Sequence, residues 1–292
     1  MKYYFIKNKI NFLFLFISFF YLILIIGVDN ISFQSTGWLH AGNDRTLPQL
    51  GWHFFKNDIW RFPLGSNPNY GDELGSSIIF ADTIPILALI FKMFRSLIPD
   101  NFQYISLWYF ICFYLQLFFS FKIIKKFTNS VLYSLIGSFF FLITPIFMWK
   151  LAMIPALAGQ WTLLIALYLG LSKKIDQAKW SWFFLIILSS LINFYFMIMI
   201  IAAYSLLRIF NFRFDKINII KFIKDFIFIT TFLLLILYVV GYFQVRMVDT
   251  MALGFGRDKL NLLSIFDSIN TNDGIRWSWF LPDIKLDLHE EG

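Results

Sequence analysis

A chain of 292 residues that is 59% hydrophobic and only 15% charged is too apolar to be a soluble globular domain, so lipid must be the solvent for much of it. The net charge of +7 does not mark a nucleic-acid partner, because Lys and Arg fall mainly in short turns between apolar runs, where topology and anionic lipid account for them. A single cysteine, Cys112, within an apolar run excludes a disulfide and reads as a small core residue, and three scattered His argue against a metal cluster.

The N-terminus is basic over residues 1–9 and apolar over residues 10–28. That run is long and lacks a small-residue cleavage site, which predicts an uncleaved anchor. A long loop follows, residues 29–103, with Asp44 early in it. Thr46 and Pro48 open a short amphipathic helix over about 46–57, in which Leu47, Leu50 and Phe54 recur on one face. Such a helix suits the headgroup level of a bilayer. A turn-rich aromatic stretch, residues 60–71, leads to Asp72 and Glu73 and then to an apolar segment over about 77–97. That segment carries Asp82, Pro85, Lys92 and Arg95, and is expected to lie on or dip into the outer face as a second interfacial helix.

Spans are predicted at residues 104–121, 131–149, 151–171 and 226–243. Residues 180–207 are uncharged throughout, long for one helix and short for two. A hairpin turning near Asn193 is one solution and a single tilted helix is the other.

Charge bias selects the topology. With 77–97 outside and a hairpin at 180–210, the segments 1–9, 122–129, 172–179 and 208–225 share one side. They hold 14 of the 25 Lys and Arg but only three of the 18 acids, which marks that side as cytoplasmic. The expectation is an all-α membrane protein: a polytopic helical bundle of about seven spans, with interfacial helices in the first outside loop. Residues 1–243 form this transmembrane domain, and residues 244–292 an extracytoplasmic tail. The tail ends without an evident terminus, so it is expected to begin a truncated C-terminal part.

Several stretches carry a resemblance: Gly-Asn-Asp-Arg at 42–45, Leu-Gly-Trp-His-Phe-Phe at 50–55, Trp-Arg-Phe-Pro-Leu-Gly at 60–65 and Phe-Ala-Asp-Thr-Ile-Pro-Ile-Leu-Ala-Leu at 80–89. Trp-Ser-Trp-Phe-Leu-Pro at 277–282 and the final Glu-Gly fit with them. Together these resemble an uncharacterised bacterial membrane-protein family. Its layout in turn is similar to the GT-C superfamily of polytopic glycosyltransferases. The resemblance implies a protein of the bacterial inner membrane with a cytoplasmic N-terminus. It also implies a polyprenyl-phosphate sugar donor used on the extracytoplasmic face. Such enzymes usually have more than seven spans and a C-terminal portion, both lacking here.

On that reading Asp44 is the general base, taking the acceptor's hydroxyl proton as its oxygen attacks the sugar. The departing lipid phosphate calls for a cation or a divalent metal. Arg45, Arg61 and Lys150 are candidates, Arg being suited to bidentate phosphate binding. The bland reading of Asp44 is a solvated loop acid or Asx turn beside Gly42 and Asn43. Asp82 is the second catalytic candidate, an acid in an apolar segment. Its pattern, Asp-Thr-Ile-Pro at 82–85, also reads as a helix N-terminus with Asp82 as cap, and the pattern favours the cap. His53 is placed to orient Asp44 or touch phosphate, or else is an interfacial side chain. Gln160 and Trp161 offer hydrogen bonding and stacking to a sugar, although interface anchoring also explains Trp161. Asp72 and Glu73 are adjacent and point apart, so they make a poor pair. A lipid or polysaccharide transporter or flippase is the rival class, favoured by the interrupted 180–210 segment. A structural membrane subunit is the third.

Overall fold

Apolar runs set where the helices lie, and prolines and polar gaps set where they end. The computed structural model describes residues 2–40, 46–70, 76–172, 178–210 and 216–244. They belong to one compact unit, Met1–Val245. It is mostly helical, with ten α-helices among the described residues: α1 (Lys2–Ile26), α2 (Thr46–Asn57), α3 (Pro85–Met93), α4 (Ile105–Phe127), α5 (Val131–Leu142), α6 (Pro145–Met153), α7 (Trp161–Ser172), α8 (Lys179–Ser190), α9 (Phe194–Phe210) and α10 (Lys216–Val240).

Three stretches are long and apolar enough to cross a membrane: Lys9–Ile26, Ile105–Phe127 and Ile223–Val240. A fourth is counted if α5 and α6, bent by 41° at Ile143–Thr144, make one span. Pro145 explains that bend, since it has no N–H to continue the ladder and opens the next helix instead. The apolar α9 and the segment Pro155–Leu171 are shorter.

α1 and α4 run antiparallel. Phe14 meets Phe121 at 5.4 Å and Tyr21 meets Phe113 at 5.0 Å, both edge to face. α5 turns back after Ser130, whose hydroxyl caps it by accepting from the Tyr133 N–H. α7 runs parallel to α4, with Trp161 beside Trp108 and Tyr168 beside Phe119.

Residues 180–207 form a hairpin. Trp182 in α8 packs against Tyr204 in α9, ring centroids 5.6 Å apart across 22 positions of sequence. Only antiparallel arms allow that contact. The α8 arm, 12 residues long, rises about 18 Å. That is well short of a hydrocarbon core of about 30 Å. At the open end of the hairpin, buried Asp225 of α10 accepts from both Arg208 (2.9 Å) and Lys179. At the closed end, the Tyr242 hydroxyl donates to the Ser190 carbonyl, 2.9 Å.

The loop 29–103 is a folded cap. Gln103 ties its ends together, its backbone N–H donating to Phe33 O and its side chain to Ser32 O. Two short strands, β1 (Ser66–Asn67) and β2 (Ser76–Ser77), pair antiparallel with Ser66 opposite Ser77. This ribbon clasps the end of α10: Leu64 N–H donates to Val239 O (2.7 Å), and Ser77 Oγ to Val240 O. At Gly65 a Cβ would sit 2.0 Å from Val240 O, so the approach requires glycine.

The first helix of this cap runs over Thr46–Asn57, as the pattern predicts. Its Leu47, Leu50 and Phe54 stripe is exposed, while Trp52, Phe55 and Lys56 fill the interior of the cap. The second is shorter than expected. The apolar segment over 77–97 is helical only at Pro85–Met93, because Ser76–Ser77 is a strand and Asp82 and Ile84 take left-handed backbone, φ 50° and 54°. A left-handed residue cannot continue a right-handed helix.

Replacing Asp225 by Asn should destabilise the chain by about 3 kcal/mol, because two partly buried cations lose their counter-charge. A lowered thermal midpoint in detergent, against an unchanged one, decides this.

Candidate functional site

The hairpin tip is where the cap and the bundle meet, and Asp82 stands there. Thr83 fixes the turn from both sides: its Oγ1 donates to Ile78 O (2.7 Å), and its carbonyl accepts from the buried Tyr104 hydroxyl. Ile84, not Asp82, is the N-cap residue of α3, and no side chain caps that helix. The expectation of Asp82 as a helix cap is therefore corrected. Its carboxylate instead turns toward the hairpin, where Asn193 Nδ2 donates to Asp82 Oδ1 at 3.3 Å. Asn193 is itself oriented, its Oδ1 accepting from the Tyr195 N–H. One residue pair away, Ile86 N–H donates to Leu191 O, satisfying a carbonyl freed by the helix break.

Left-handed backbone at two non-glycine residues, one of them β-branched, costs about 1–3 kcal/mol each and persists only where surroundings over-determine it. Here the surroundings are close. Gly51 of α2 lies so near that a Cβ would meet Ala81 Cβ at 2.4 Å and Thr83 Cγ2 at 2.8 Å. Asn67 Nδ2 holds that part of α2 through Gly51 O, 2.9 Å.

The charge of Asp82 reaches two tyrosines. Burial, together with the negative charge of Asp82, pushes the phenols of Tyr70 and Tyr242 above their ordinary range. They stay protonated at physiological pH; Tyr242 spends its proton on the Ser190 carbonyl, which leaves the Tyr70 hydroxyl as the donor. The grouping is thus a half-buried carboxylate, an amide and two neutral phenols. It can accept a proton from a hydroxyl and offer the Tyr70 hydroxyl to an oxygen-rich ligand.

The other sequence candidates are spread out. Asp44 and Arg45 lie outside the described residues, as do Asp72 and Glu73. His53 is exposed on α2 and pairs with Asn57, 3.4 Å. Arg61 is held by Asp58, with Nη2 3.2 Å from Oδ1. Lys150 is half-buried on α6, and Gln160 is half-buried at the entry to α7. Trp161 is buried against Trp108, because the 3-10 turn Pro155–Ala158 swings it inward toward α4. Among the described residues no group of three or more His, Cys, Asp or Glu gathers that could hold a metal.

Sequence reasoning passed over Tyr70, Tyr242 and the burial of Lys92. Tyr242 is distant from Asp82 in sequence and carries no motif. Lys92, at the far end of α3 from Asp82, is 1% exposed and lies over the Phe55 ring (3.7 Å) and the Trp60 ring (4.8 Å). Burial lowers its pKa to about 8; Asp58 opposes that shift, and Arg95 and Arg61 add to it.

Residues 15–292 match the family described as a domain of unknown function, DUF6311. No curated protein and no solved structure matches the chain.

Gly51→Ala should displace the Ala81–Thr83 turn and lower stability by about 1–3 kcal/mol; thermal unfolding in detergent reads this directly. Lys92 makes a prediction in pH. In the folded chain it loses its proton near pH 8, and in the unfolded chain near 10.5. Between those values the unfolded chain binds more protons, so rising pH favours the fold. The stability of the chain relative to its Lys92→Met variant should therefore increase across this window. A flat difference between the two unfolding curves would refute it.

Proposed function

The chain belongs to the DUF6311 family, and from that premise we propose a membrane glycosyltransferase-like protein. It transfers a sugar from a polyprenyl-phosphate donor on the extracytoplasmic face of the bacterial inner membrane. In this reading the bundle crosses about seven times with its N-terminus in the cytoplasm, and the cap over 29–103 faces outward. The GT-C-like layout of a long first outside loop with an early acid supports it.

The observation that carries the proposal is Asp82. A carboxylate on strained backbone, hydrogen-bonded to Asn193 and with its charge reaching two neutral tyrosines, is a poor choice for stability alone. It suits a general base. As the acceptor hydroxyl attacks the anomeric carbon, its proton passes to the Asp82 carboxylate. The new C–O bond forms while the bond to the lipid phosphate breaks, and the phosphate keeps the electron pair. Tyr70 is available to donate to a sugar oxygen, while the Tyr242 proton is held by the Ser190 carbonyl. The leaving phosphate needs positive charge, from Arg45, Lys150 or a divalent metal. Asp44 stands as the alternative base.

A second reading has one observation in its favour. The hairpin α8–α9, interrupted at Leu191–Asn193, is the kind of broken helix pair that forms binding sites in transporters.

The test is transfer of radiolabel from polyprenyl-phosphate sugars in membranes that contain the full-length protein. Asp82→Asn should reduce transfer by about 100-fold or more while the thermal midpoint holds. Loss on Asp44→Asn with survival of Asp82→Asn moves the base to Asp44. Absence of transfer from well-expressed protein, with sugar-lipid uptake that fails on Asn193→Ala, turns the reading to transport.

A further inference from the structure

The segments 58–62 and 92–97 lie side by side at the end of α3 away from Asp82. Arg95 Nη1 donates to Asp58 O, and Lys92 Nζ to Ile59 O at 3.4 Å. This places three cations, Arg61, Lys92 and Arg95, around one carboxylate, Asp58. Lys56 does not change the balance, since it donates to the Pro99 and Asp100 carbonyls and feels the Asp100 charge. The patch therefore keeps positive charge in excess. Burial is the main cause of the lowered Lys92 pKa and Asp58 opposes it, while both guanidinium groups add to the shift.

Arg61 and Arg95 are exposed and spend only part of their donors within the chain. Arg61 uses Nε and Nη2 on Asp58, and Arg95 uses Nη1 on a carbonyl. A guanidinium carries five N–H groups in a fixed fork that matches phosphate. Around them Ile59, Phe62, Met93, Phe94 and Leu97 are all exposed, Leu97 by 81%. An apolar rim about a cationic centre is costly in water and favourable where acyl chains meet headgroups.

The patch lies at that depth. The Phe62 ring packs on Tyr238 at 5.5 Å, and Leu64 N–H bonds Val239 O. Both partners belong to the last turn of α10, where a helix of spanning length leaves the hydrocarbon. We propose that Arg61 and Arg95, set over the buried Lys92, bind the phosphate of an acidic phospholipid at the membrane face where α10 ends. The rim residues take the first part of its acyl chains. The site needs no catalysis and stands apart from the Asp82 grouping.

A purely structural role for these charges is the competing account, since cations at the end of α3 also complement its dipole. It predicts no lipid preference. The full chain, purified and delipidated in detergent, is titrated with short-chain phosphatidylglycerol, short-chain phosphatidylcholine and inorganic phosphate, and thermal unfolding is followed. Retained lipid is identified by native mass spectrometry. Phosphatidylglycerol should bind about tenfold or more tightly than phosphatidylcholine, weakening as salt rises. Arg95→Gln should remove most of that preference with little loss of fold, because its side chain bonds only a carbonyl. Arg61→Gln should do the same, and Arg61→Lys should restore part of it. Equal binding of both lipids, or a preference that Arg95→Gln leaves intact, overturns the proposal. Inorganic phosphate that stabilises as strongly as phosphatidylglycerol overturns the lipid assignment.

Discussion

Buried backbone polar groups must find partners within the protein, and this chain breaks a helix at Leu191–Asn193. Much else follows from how that break is satisfied. The Leu191 carbonyl takes the Ile86 N–H, the Ser190 carbonyl takes the Tyr242 hydroxyl, and the Asn193 side chain takes Asp82. All three partners come from outside the hairpin. Two belong to the cap over residues 29–103 and one to the segment just past α10. The tip thus joins three parts of the chain that are far apart in sequence.

This explains why the cap is built so tightly. For Asp82 to reach Asn193, the chain must leave β2 and enter α3 through two left-handed residues. Gly51 admits that turn against α2, while Tyr104 holds it from the start of α4. Trp52 secures α2 in turn, its indole donating to Phe102 O at 2.9 Å. The same packing that places the carboxylate therefore makes the cap one folded piece. Strain at the turn is offset by hydrogen bonds and by buried aromatic surface.

Charge is concentrated at two places away from the tip, with different consequences. Asp225 is outnumbered by Lys179 and Arg208 at the open end of the hairpin, and there the ion pairs hold α8, α9 and α10 together. Asp58 is outnumbered by Arg61, Lys92 and Arg95 at the far end of α3, where the guanidinium groups are exposed among apolar side chains. The first arrangement closes on itself. The second leaves cationic surface beside the end of α10, and its position rather than its charge count makes it a site for lipid.

Hydrophobicity and proline placement carry local information, and local structure is what they determined. The apolar runs at 10–28 and 104–121 became α1 and α4, the cap helix starts at Thr46 and ends at Asn57, and Pro145 and Pro85 open helices. Asp82 was legible as an anomaly, an acid in an apolar stretch, but its backbone and its partner were not. Two alternatives stayed open for residues 180–207, because an uncharged run is equally good as one helix or two; the Trp182–Tyr204 contact decided for the hairpin. The inward turn of Trp161, the burial of Lys92 and the approach of Tyr242 to Asp82 arise from contacts between distant segments. Periodicity cannot encode such contacts, since each depends on where another helix ends. Membrane affinity and helix positions thus follow from the chain's own chemistry, whereas the gathering of Asp82, Asn193, Tyr70 and Tyr242 was decided by tertiary packing, which alone satisfies the backbone at the helix break.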